Sequence, residues 1–234
     1  MKLSVATIGY KSLRNIQNVV GDIKESTIPA ELVVVINNYG NVSDGITDYV
    51  RSAPVARWVR CSQNVGCAKA FNIGMSLCTG DVVVALNDDC RVGDDTYEKI
   101  LEEFNDPRVG IVGVAEGRLK PLSYSEKCVD GTAVQGFLIA FRKKMLDEIG
   151  MYDPVASPLA DEVELQLRAV VAGWKIVIAR DVMWQHVFDI SCNTQTKIMY
   201  QGEEWIPARD QPKTNVYFDR IRADLARKLQ PNDF

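Results

Sequence analysis

The sequence predicts an α/β domain with a largely parallel sheet. Strand-like and helix-like segments alternate through the first half of the 234 residues, a pattern that is typical of βαβ units. Two strand-like runs, Leu32–Ile36 and Val82–Leu86, are apolar at every position, as expected where helices cover both faces of a strand. Because 47% of the residues are hydrophobic, the chain is able to bury one sizeable core, and we expect a single domain.

The other elements of the first half follow from apolar spacing. Leu3–Ile8 is short and rich in β-branched residues, which predicts a strand. Leu13–Ile23 has apolar residues at helical spacing and is followed by a proline, which predicts a helix. A further strand is predicted at Ala56–Val59 and a further helix at Ala68–Leu77.

The second half is less regular. Its predicted elements are strands at Val109–Val114, Phe137–Phe141, Lys175–Ile178 and Val182–Trp184, and helices at Lys143–Ile149 and Asp161–Ala172. Arg118–Asp130 is expected to be irregular. Asn215–Leu229 alternates apolar and charged residues at helical spacing, so we expect a C-terminal helix packed on the domain.

Composition excludes several classes of protein. The net charge of −4 gives no electrostatic reason to expect binding to a nucleic-acid backbone, which usually requires a basic face. No run approaches the roughly 20 apolar residues that a transmembrane helix needs, and the first residues lack a secretory signal, so a cytoplasmic location is expected. The cysteines form no C-x-x-C pair and are expected to be reduced thiols without a function. They are Cys61, Cys67, Cys78, Cys90, Cys128 and Cys192.

Polar residues follow three of the predicted strands. They are Gly9-Tyr10, Asn37-Asn38 and Asn87-Asp88-Asp89. Ligands of open α/β sheets bind beyond the carboxyl ends of the strands. The last group offers hard oxygen ligands for a divalent ion that bridges to a diphosphate; the alternative is that the two carboxylates only cap a turn.

Two further segments have both a chemical and a structural interpretation. His186 is the only histidine, and with Asp89 it would complete a mixed nitrogen and oxygen site that suits Mn²⁺ at least as well as Mg²⁺; a single histidine is also common as a structural residue. Asp161 and Glu162 open a predicted helix. Either one is a candidate general base, or both only complement the helix dipole.

The stretch from Asn64 to Gly74 joins a loop to a helix start, where backbone N–H groups and Lys69 favour an anion such as a phosphate. It lacks the spacing of a P-loop, and Gly9 does not begin a G-x-G-x-x-G turn, which argues against a dinucleotide-binding domain.

The order of these segments resembles the family 2 glycosyltransferases, which have the GT-A fold. The resemblance spans Leu3 to about His186. It is carried by Thr7–Tyr10, Asn37–Gly40, Asn64–Gly74, the D-x-D-like Asn87–Asp89, Gly136–Arg142, Gly150–Asp153, Asp161–Arg168 and His186.

This resemblance implies one GT-A domain over residues 1–234. Residues 1–90 would be the nucleotide-sugar-binding half, 91–186 the acceptor and catalytic half, and 187–234 a C-terminal lid and helix, with the lid at Phe188–Pro212. The implied reaction is an inverting transfer from a UDP-, GDP- or dTDP-linked sugar to a glycan or other hydroxyl acceptor, with Mn²⁺ or Mg²⁺ as cofactor.

The resemblance also implies roles for individual residues. Asp89 would be the principal metal ligand and His186 a second one, with Glu162 as the catalytic base and Asp161 beside it as an acceptor-binding group or the base itself. The residues expected around the nucleotide-sugar are Thr7, Ile8, Gly9, Tyr10, Asn37, Asn64, Gly66, Lys69, Asn72, Asn87, Asp88 and Gly136. Asn37 stands where relatives commonly have Asp, and since an amide both donates and accepts, the nucleobase stays open.

Two other functions fit the same layout. A sugar nucleotidyltransferase shares the α/β order and a metal, but such enzymes generally carry a Gly-rich, basic loop after the first strand, where this chain has Gly9-Tyr10-Lys11-Ser12. A catalytically silent sugar- or nucleotide-binding domain is the second alternative. The retained acidic pair, metal carboxylate and histidine argue against it.

Overall fold

The alternation of strands and helices is present in a computed structural model, which describes residues 1–38, 45–114, 134–154, 161–179, 181–186, 198–200 and 203–205. The strands are β1 (Leu3–Gly9), β2 (Ala30–Ile36), β3 (Arg57–Arg60), β4 (Val82–Asn87), β5 (Cys90–Val92), β6 (Val109–Gly113), β7 (Leu138–Arg142), β8 (Lys175–Ile178), β9 (Trp184–His186), β10 (Ile198–Tyr200) and β11 (Glu203–Trp205). The helices are α1 (Leu13–Glu25), α2 (Ile46–Ser52), α3 (Cys67–Leu77), α4 (Thr96–Glu103), α5 (Lys143–Ile149) and α6 (Asp161–Val171).

Seven strands form the central sheet in the order β3-β2-β1-β4-β7-β6-β8. Strands β1 to β4 are parallel to one another, β7 is antiparallel to both of its neighbours, and β8 is parallel to β6. The predicted, mostly parallel α/β architecture is therefore confirmed. Two separate two-stranded sheets pair β5 with β9 and β10 with β11.

Helices cover both faces of this sheet. In β4, Val82, Val84 and Leu86 pack into one hydrophobic cluster, and Val83 and Ala85 into another. The first cluster includes buried residues of α1, α2 and α4, and the second those of α3, α5 and α6. Because successive strand residues point to opposite faces, burial on both sides requires the uninterrupted apolar run seen in the sequence.

Most predicted elements are confirmed with ends within two residues, whereas α2, α4, β5, β10 and β11 were not predicted. The strand expected at Val182–Trp184 is wrong by two residues, since β9 is Trp184–His186. The reason is its ladder with β5, which pairs Val92 with Trp184 and Cys90 with His186. The carbonyl of Met183 instead accepts hydrogen bonds from Gly93 N at 2.9 Å and Thr96 Oγ1 at 3.0 Å.

Several predictions fall outside the described residues. They are the irregular segment 118–130, the C-terminal helix 215–229 and, apart from β10 and β11, the lid at 188–212. Cys128 and Cys192 also lie outside. Among the described residues, Cys61, Cys67, Cys78 and Cys90 form no disulfide. Within the part of the chain that is described, no helix is both long and apolar enough to cross a bilayer.

Candidate active site

The carboxyl ends of three adjacent parallel strands bring the predicted polar groups together. Asn37, directly after β2, donates its backbone N–H to Gly9 O of β1 at 3.0 Å. Tyr10, directly after β1, donates its N–H to the Asp88 carboxylate at 3.4 Å. Asn87 ends β4 opposite Ile8 of β1. The residues that follow β1, β2 and β4, all of them expected near a nucleotide-sugar, thus share one edge of the sheet.

The side chain of Asn37 forms hydrogen bonds with the loop that follows β3. Its Oδ1 accepts the N–H of Val65 at 2.9 Å, and its Nδ2 donates to Asn64 Oδ1 at 3.2 Å and to Gly66 O at 3.3 Å. Asn64 Oδ1 also accepts the N–H of Gly66 at 2.9 Å. The Asn37 amide therefore shapes the loop, and its contact with a nucleobase stays a prediction.

Gly66 begins α3 with a φ of 87°, in the region of backbone conformation that favours glycine. Lys69 lies in the first turn of this helix and is exposed. A helix N-terminus beside an exposed ammonium group attracts anions. The loop fold is therefore compatible with the predicted phosphate contact.

Two residues expected near the nucleotide-sugar, Asn72 and Thr7, lie in different surroundings: Asn72 has structural contacts, whereas Thr7 Oγ1 is buried without a hydrogen-bond partner among the described residues. Asn72 Nδ2 donates to Tyr152 O at 2.8 Å, and its Oδ1 accepts the N–H of Tyr152 at 3.0 Å, which ties α3 to the loop after α5. Thr7 is fully buried within β1. A role of either side chain in donor binding stays a prediction.

The two predicted metal ligands meet. Asp89 precedes β5, His186 ends β9, and the antiparallel ladder places Cys90 opposite His186. His186 Nε2 lies 3.1 Å from Asp89 Oδ1, with side-chain exposures of 8% for His186 and 1% for Asp89. Residues that are 97 positions apart in the chain are thus brought within hydrogen-bonding distance.

The environment of this pair suits a divalent cation. Asp89 Oδ2 is buried and has no hydrogen-bond partner among the described residues, and a buried carboxylate oxygen without a partner is costly unless something compensates it. The His186 ring stacks on Phe137 with centroids 4.4 Å apart and planes at 21°. In the described ranges no group of three or more His, Cys, Asp or Glu side chains is placed to hold a metal. Asp89 and His186 therefore fit a cation whose other ligands come from substrate and water.

The predicted base lies in the first turn of α6. Glu162 is half-buried, and its Cγ and Cδ lie so close to Gly136 that a methyl group at position 136 would be 3.0 Å from both. Gln166, one turn further along α6, binds both backbone groups of Val134 at 2.7 and 3.1 Å and donates to Glu162 O at 3.1 Å. Asp161 begins α6, and its side chain lies outside what is described.

Consecutive residues connect the candidate base to the candidate metal ligands. Gly136 contacts Glu162, and the next residue, Phe137, stacks on His186. Phe137 O also accepts the N–H of Asn87 at 2.9 Å. Glu162 and the Asp89–His186 pair therefore both lie beside residues 136–137, at the same edge of the sheet.

Some contributing residues were not predicted. Phe137 was assigned to a strand and a matched motif, and Glu164 and Gln166 to a helix and a matched motif, but none of the three was given a role in the site. Arg168 of that motif pairs with Glu164 at 2.5 Å and donates to Ile149 O and Met151 O, which fastens α6 to the end of α5. The i, i+4 spacing of Glu164 and Arg168 is the one signal that could have indicated their pairing.

The buried cysteines are poor nucleophiles. Burial, reinforced by the charges of Asp89 and Asp22, raises the pKa of the Cys90 thiol well above its usual range. Burial, with the charge of Glu31 beside it, raises the pKa of Cys78 to about 12. Both thiols stay protonated at neutral pH, so neither supplies a thiolate.

Two sequence-family models match the chain. The model of Glycosyl transferase family 2 matches residues 4–123, and that of Glycosyl transferase family 21 matches residues 117–206. No curated protein matches the sequence significantly.

Solved structures share the fold. The mannosyltransferase PcManGT from Pyrobaculum calidifontis, in complex with GDP-Man and Mn²⁺, superposes with a TM-score of 0.64 at 22% identity, over 77% of this chain and 55% of that chain. S. aureus TarS 1–349 in complex with UDP-GlcNAc superposes with a TM-score of 0.60 at 18% identity, over 77% of this chain and 56% of that chain. This chain thus spans little more than half the length of either.

The two kinds of comparison agree. The structural likeness confirms the predicted GT-A fold. Since the family 2 model covers more than half of its residues, the chain belongs to glycosyl transferase family 2.

Proposed function

We propose that this protein is a metal-dependent glycosyltransferase that moves a sugar from a nucleoside-diphosphate sugar to an acceptor hydroxyl with inversion. Its family and its GT-A fold support the reaction class. The observation that carries the proposal is the 3.1 Å approach of His186 Nε2 to Asp89 Oδ1, beside a buried Asp89 Oδ2 that has no partner among the described residues.

Asp89 and His186 would hold Mn²⁺ or Mg²⁺. The bound cation would neutralise the negative charge that develops on the departing diphosphate. PcManGT, which shares the fold, was solved with GDP-Man and Mn²⁺. The imidazole and carboxylate of this chain form a mixed donor set that suits Mn²⁺.

The diphosphate would lie at the edge formed by β1, β2 and β4. Tyr10 and Asp88 are joined there by a hydrogen bond. The loop after β3, which is hydrogen-bonded to the Asn37 side chain, leads into α3. The exposed Lys69 ammonium in the first turn of α3 supplies positive charge for a phosphate oxygen.

Glu162 would accept the proton of the acceptor hydroxyl. As that proton moves to the carboxylate, the acceptor oxygen bonds to the anomeric carbon, and the bond from that carbon to the diphosphate oxygen breaks. One displacement from the opposite face inverts the anomeric configuration. Asp161, the neighbouring residue, would bind the acceptor or act as the base itself.

The test is a panel of UDP-, GDP- and dTDP-sugars with Mn²⁺, assayed for release of nucleoside diphosphate and, once an acceptor is found, for the anomeric configuration of the product by NMR. Glu162→Gln is expected to lower kcat by about 10²–10⁴-fold while donor binding persists. Glu148→Gln, an exposed substitution on α5, is the matched control and should be neutral. A product with retained configuration would exclude the single displacement.

The same panel separates the alternatives. Formation of nucleoside triphosphate from a nucleotide-sugar and pyrophosphate would indicate a sugar nucleotidyltransferase. Donor binding without turnover of any acceptor or of water would indicate a silent binding domain.

A further inference from the structure

The ribbon of β5 and β9 carries both candidate metal ligands but has no ladder to the central sheet. Asp89 directly precedes β5, and His186 ends β9. The two strands hydrogen-bond only to each other among the described strands. Its place relative to the rest of the domain therefore depends on the two-residue link from β4, on the backbone hydrogen bond from Thr27 N to Asp94 O at 2.9 Å, and on side-chain contacts.

On one face of the ribbon the contact is aromatic. Phe137 packs on Trp184 with centroids 4.9 Å apart and stacks on His186 at 4.4 Å. Ring contacts are less strict in direction than charge-assisted hydrogen bonds. A directional side-chain contact would therefore add to what fixes the ribbon along the strand axis.

Asp22 of α1 supplies that contact. Its carboxylate is almost fully buried and accepts Arg91 Nε at 2.8 and 3.0 Å, Arg91 Nη2 at a shorter distance, and the backbone N–H of Val92 at 3.2 Å. Bidentate guanidinium pairs hold their partners in both distance and angle. One side chain thereby holds two of the three residues of β5.

The helix that presents Asp22 is itself firmly placed. Ile16, Val19 and Val20 of α1 are buried in the hydrophobic core. The helix begins three residues after Tyr10, which lies at the sheet edge where the diphosphate is proposed to bind. A carboxylate on α1 is therefore a suitable reference point for the ribbon.

We propose that Asp22 is a positioning residue for the metal site: by holding Arg91 and Val92 it sets the place of Asp89 and, through the ladder, of His186. The inference rests on the proposed function, since it takes Asp89 and His186 to be metal ligands. Outer groups that orient metal ligands typically contribute about 10–100-fold to metal affinity. Asp22 acts through the backbone of β5 rather than on a ligand directly, so its effect belongs at the lower end of that range.

The experiment titrates the protein with Mn²⁺ alone and measures free Mn²⁺ by electron paramagnetic resonance. Asp22→Asn keeps the size of the side chain but removes its charge and one acceptor, and it should raise the Mn²⁺ dissociation constant about tenfold. Arg91→Lys keeps the charge but loses the bidentate geometry, and it should cause a smaller rise. Every variant is compared at a temperature at which circular dichroism shows it to be folded.

The matched control is Glu31→Gln. Glu31 is another largely buried carboxylate with an arginine partner, Arg57, but it lies at the start of β2, far along the strand from the site. Its loss should lower thermal stability and leave Mn²⁺ affinity within twofold of the wild type. This separates an effect on the metal site from a general loss of stability.

The outcomes of these titrations distinguish the role of Asp22 from the proposed metal site itself. Wild-type affinity in Asp22→Asn, or in Arg91→Lys if the first variant does not fold, would overturn the inference while leaving the proposed function intact. An equal loss in Glu31→Gln would also overturn it. Wild-type protein that binds Mn²⁺ no better than His186→Ala would instead remove the proposed metal site.

Discussion

The side chain of Glu162 lies against the backbone of Gly136. A methyl group on Gly136 would lie 3.0 Å from both Cγ and Cδ of Glu162 and 3.2 Å from its Cβ. Contacts of carbon atoms this close are repulsive, so a side chain at position 136 requires the carboxylate of Glu162 to move. From the sequence we expected Gly136 to contact the donor. In the structure its neighbour is Glu162, the candidate base.

Gly136→Ala should therefore lower kcat rather than donor binding. Displacement of Glu162 by a few tenths of an ångström to 1 Å is expected to reduce kcat by about 10–100-fold, because general-base catalysis depends on position. The donor dissociation constant, measured by calorimetry, should stay within twofold.

The control for this substitution is Gly21→Ala in the middle of α1, where a methyl group meets nothing within 4 Å. It should raise the free energy of unfolding by about 0.5–1 kcal/mol, as alanine does in helices, and leave both kinetic constants unchanged. A weaker donor affinity with normal kcat in Gly136→Ala would contradict the positioning role and favour a donor contact.

Asn37→Asp should loosen the loop at the start of α3. The carboxylate can still accept the Val65 N–H, but an oxygen would now face Asn64 Oδ1 and Gly66 O, which Nδ2 contacts at 3.2 and 3.3 Å. We expect the free energy of unfolding to fall by about 1–3 kcal/mol, because acceptors lose their donor. Donor affinity should fall as well, since this loop borders the candidate phosphate site.

Asn72→Asp is the matched comparison. It loses the bond from Nδ2 to Tyr152 O, so a similar loss of stability is expected in urea denaturation. Asn72 lies six residues beyond Gly66 along α3, about 9 Å at 1.5 Å per residue, and donor affinity should be normal. Equal weakening of donor binding in both variants would mean that Asn72 also serves the donor, as its place in the sequence motif predicts.

The elements that local sequence predicts are those with a strong local signal. β2 and β4 are buried on both faces, and the resulting apolar runs are visible without any knowledge of the partners. β5 has only three residues. A segment this short does not complete enough periods for hydrophobic spacing to indicate its type.

The contacts of the candidate site also divide into those that the sequence predicts and those that it does not. The proximity of Asp89 and His186 could be predicted, because the order of the sequence motifs resembles that of a known family in which both positions are metal ligands. The hydrogen bonds between Gln166 and Val134 join positions 32 apart, and the stacking of His186 on Phe137 joins the residue just before β7 to the ribbon of β5 and β9. Neither contact has a local pattern, since both depend on how separate elements pack.

Gln166→Leu should uncouple α6 from the segment that leads to Phe137. Both backbone groups of Val134 would lose their side-chain partner in a buried position, and each such group costs about 1–3 kcal/mol. We expect a loss of about 2–4 kcal/mol in the free energy of unfolding and a fall in kcat, because Glu162 lies one turn before Gln166. Gln17→Leu, at an exposed position of α1, should change stability by no more than about 0.5 kcal/mol. Unchanged kcat in a folded Gln166→Leu protein would show that the hydrogen bonds to Val134 do not position the base.

Glu31 should make the stability of the fold dependent on acidic pH. Burial by itself raises the pKa of this carboxyl, but hydrogen bonds from Ser4 Oγ, from Thr79 and from Arg57 outweigh it and lower the pKa from 4.5 to about 2. Ser4 Oγ donates at 2.5 Å and the Thr79 N–H at 2.8 Å. Because the folded state favours the charged form, the stabilisation is complete above pH 4.5 and is lost as the pH falls toward 2.

Glu31→Gln removes this dependence, since glutamine does not titrate. At pH 7 the variant should be less stable than the wild type by on the order of 2 kcal/mol, and the difference should shrink as the pH is lowered from 5 to 3. Urea denaturation at each pH measures it, and subtracting the two curves cancels the contributions of the other carboxylates. A difference that stays constant from pH 7 to pH 3 would mean that the pKa of Glu31 is not lowered in the folded protein, and that the hydrogen bonds at the start of β2 are no stronger to the carboxylate than to the protonated acid.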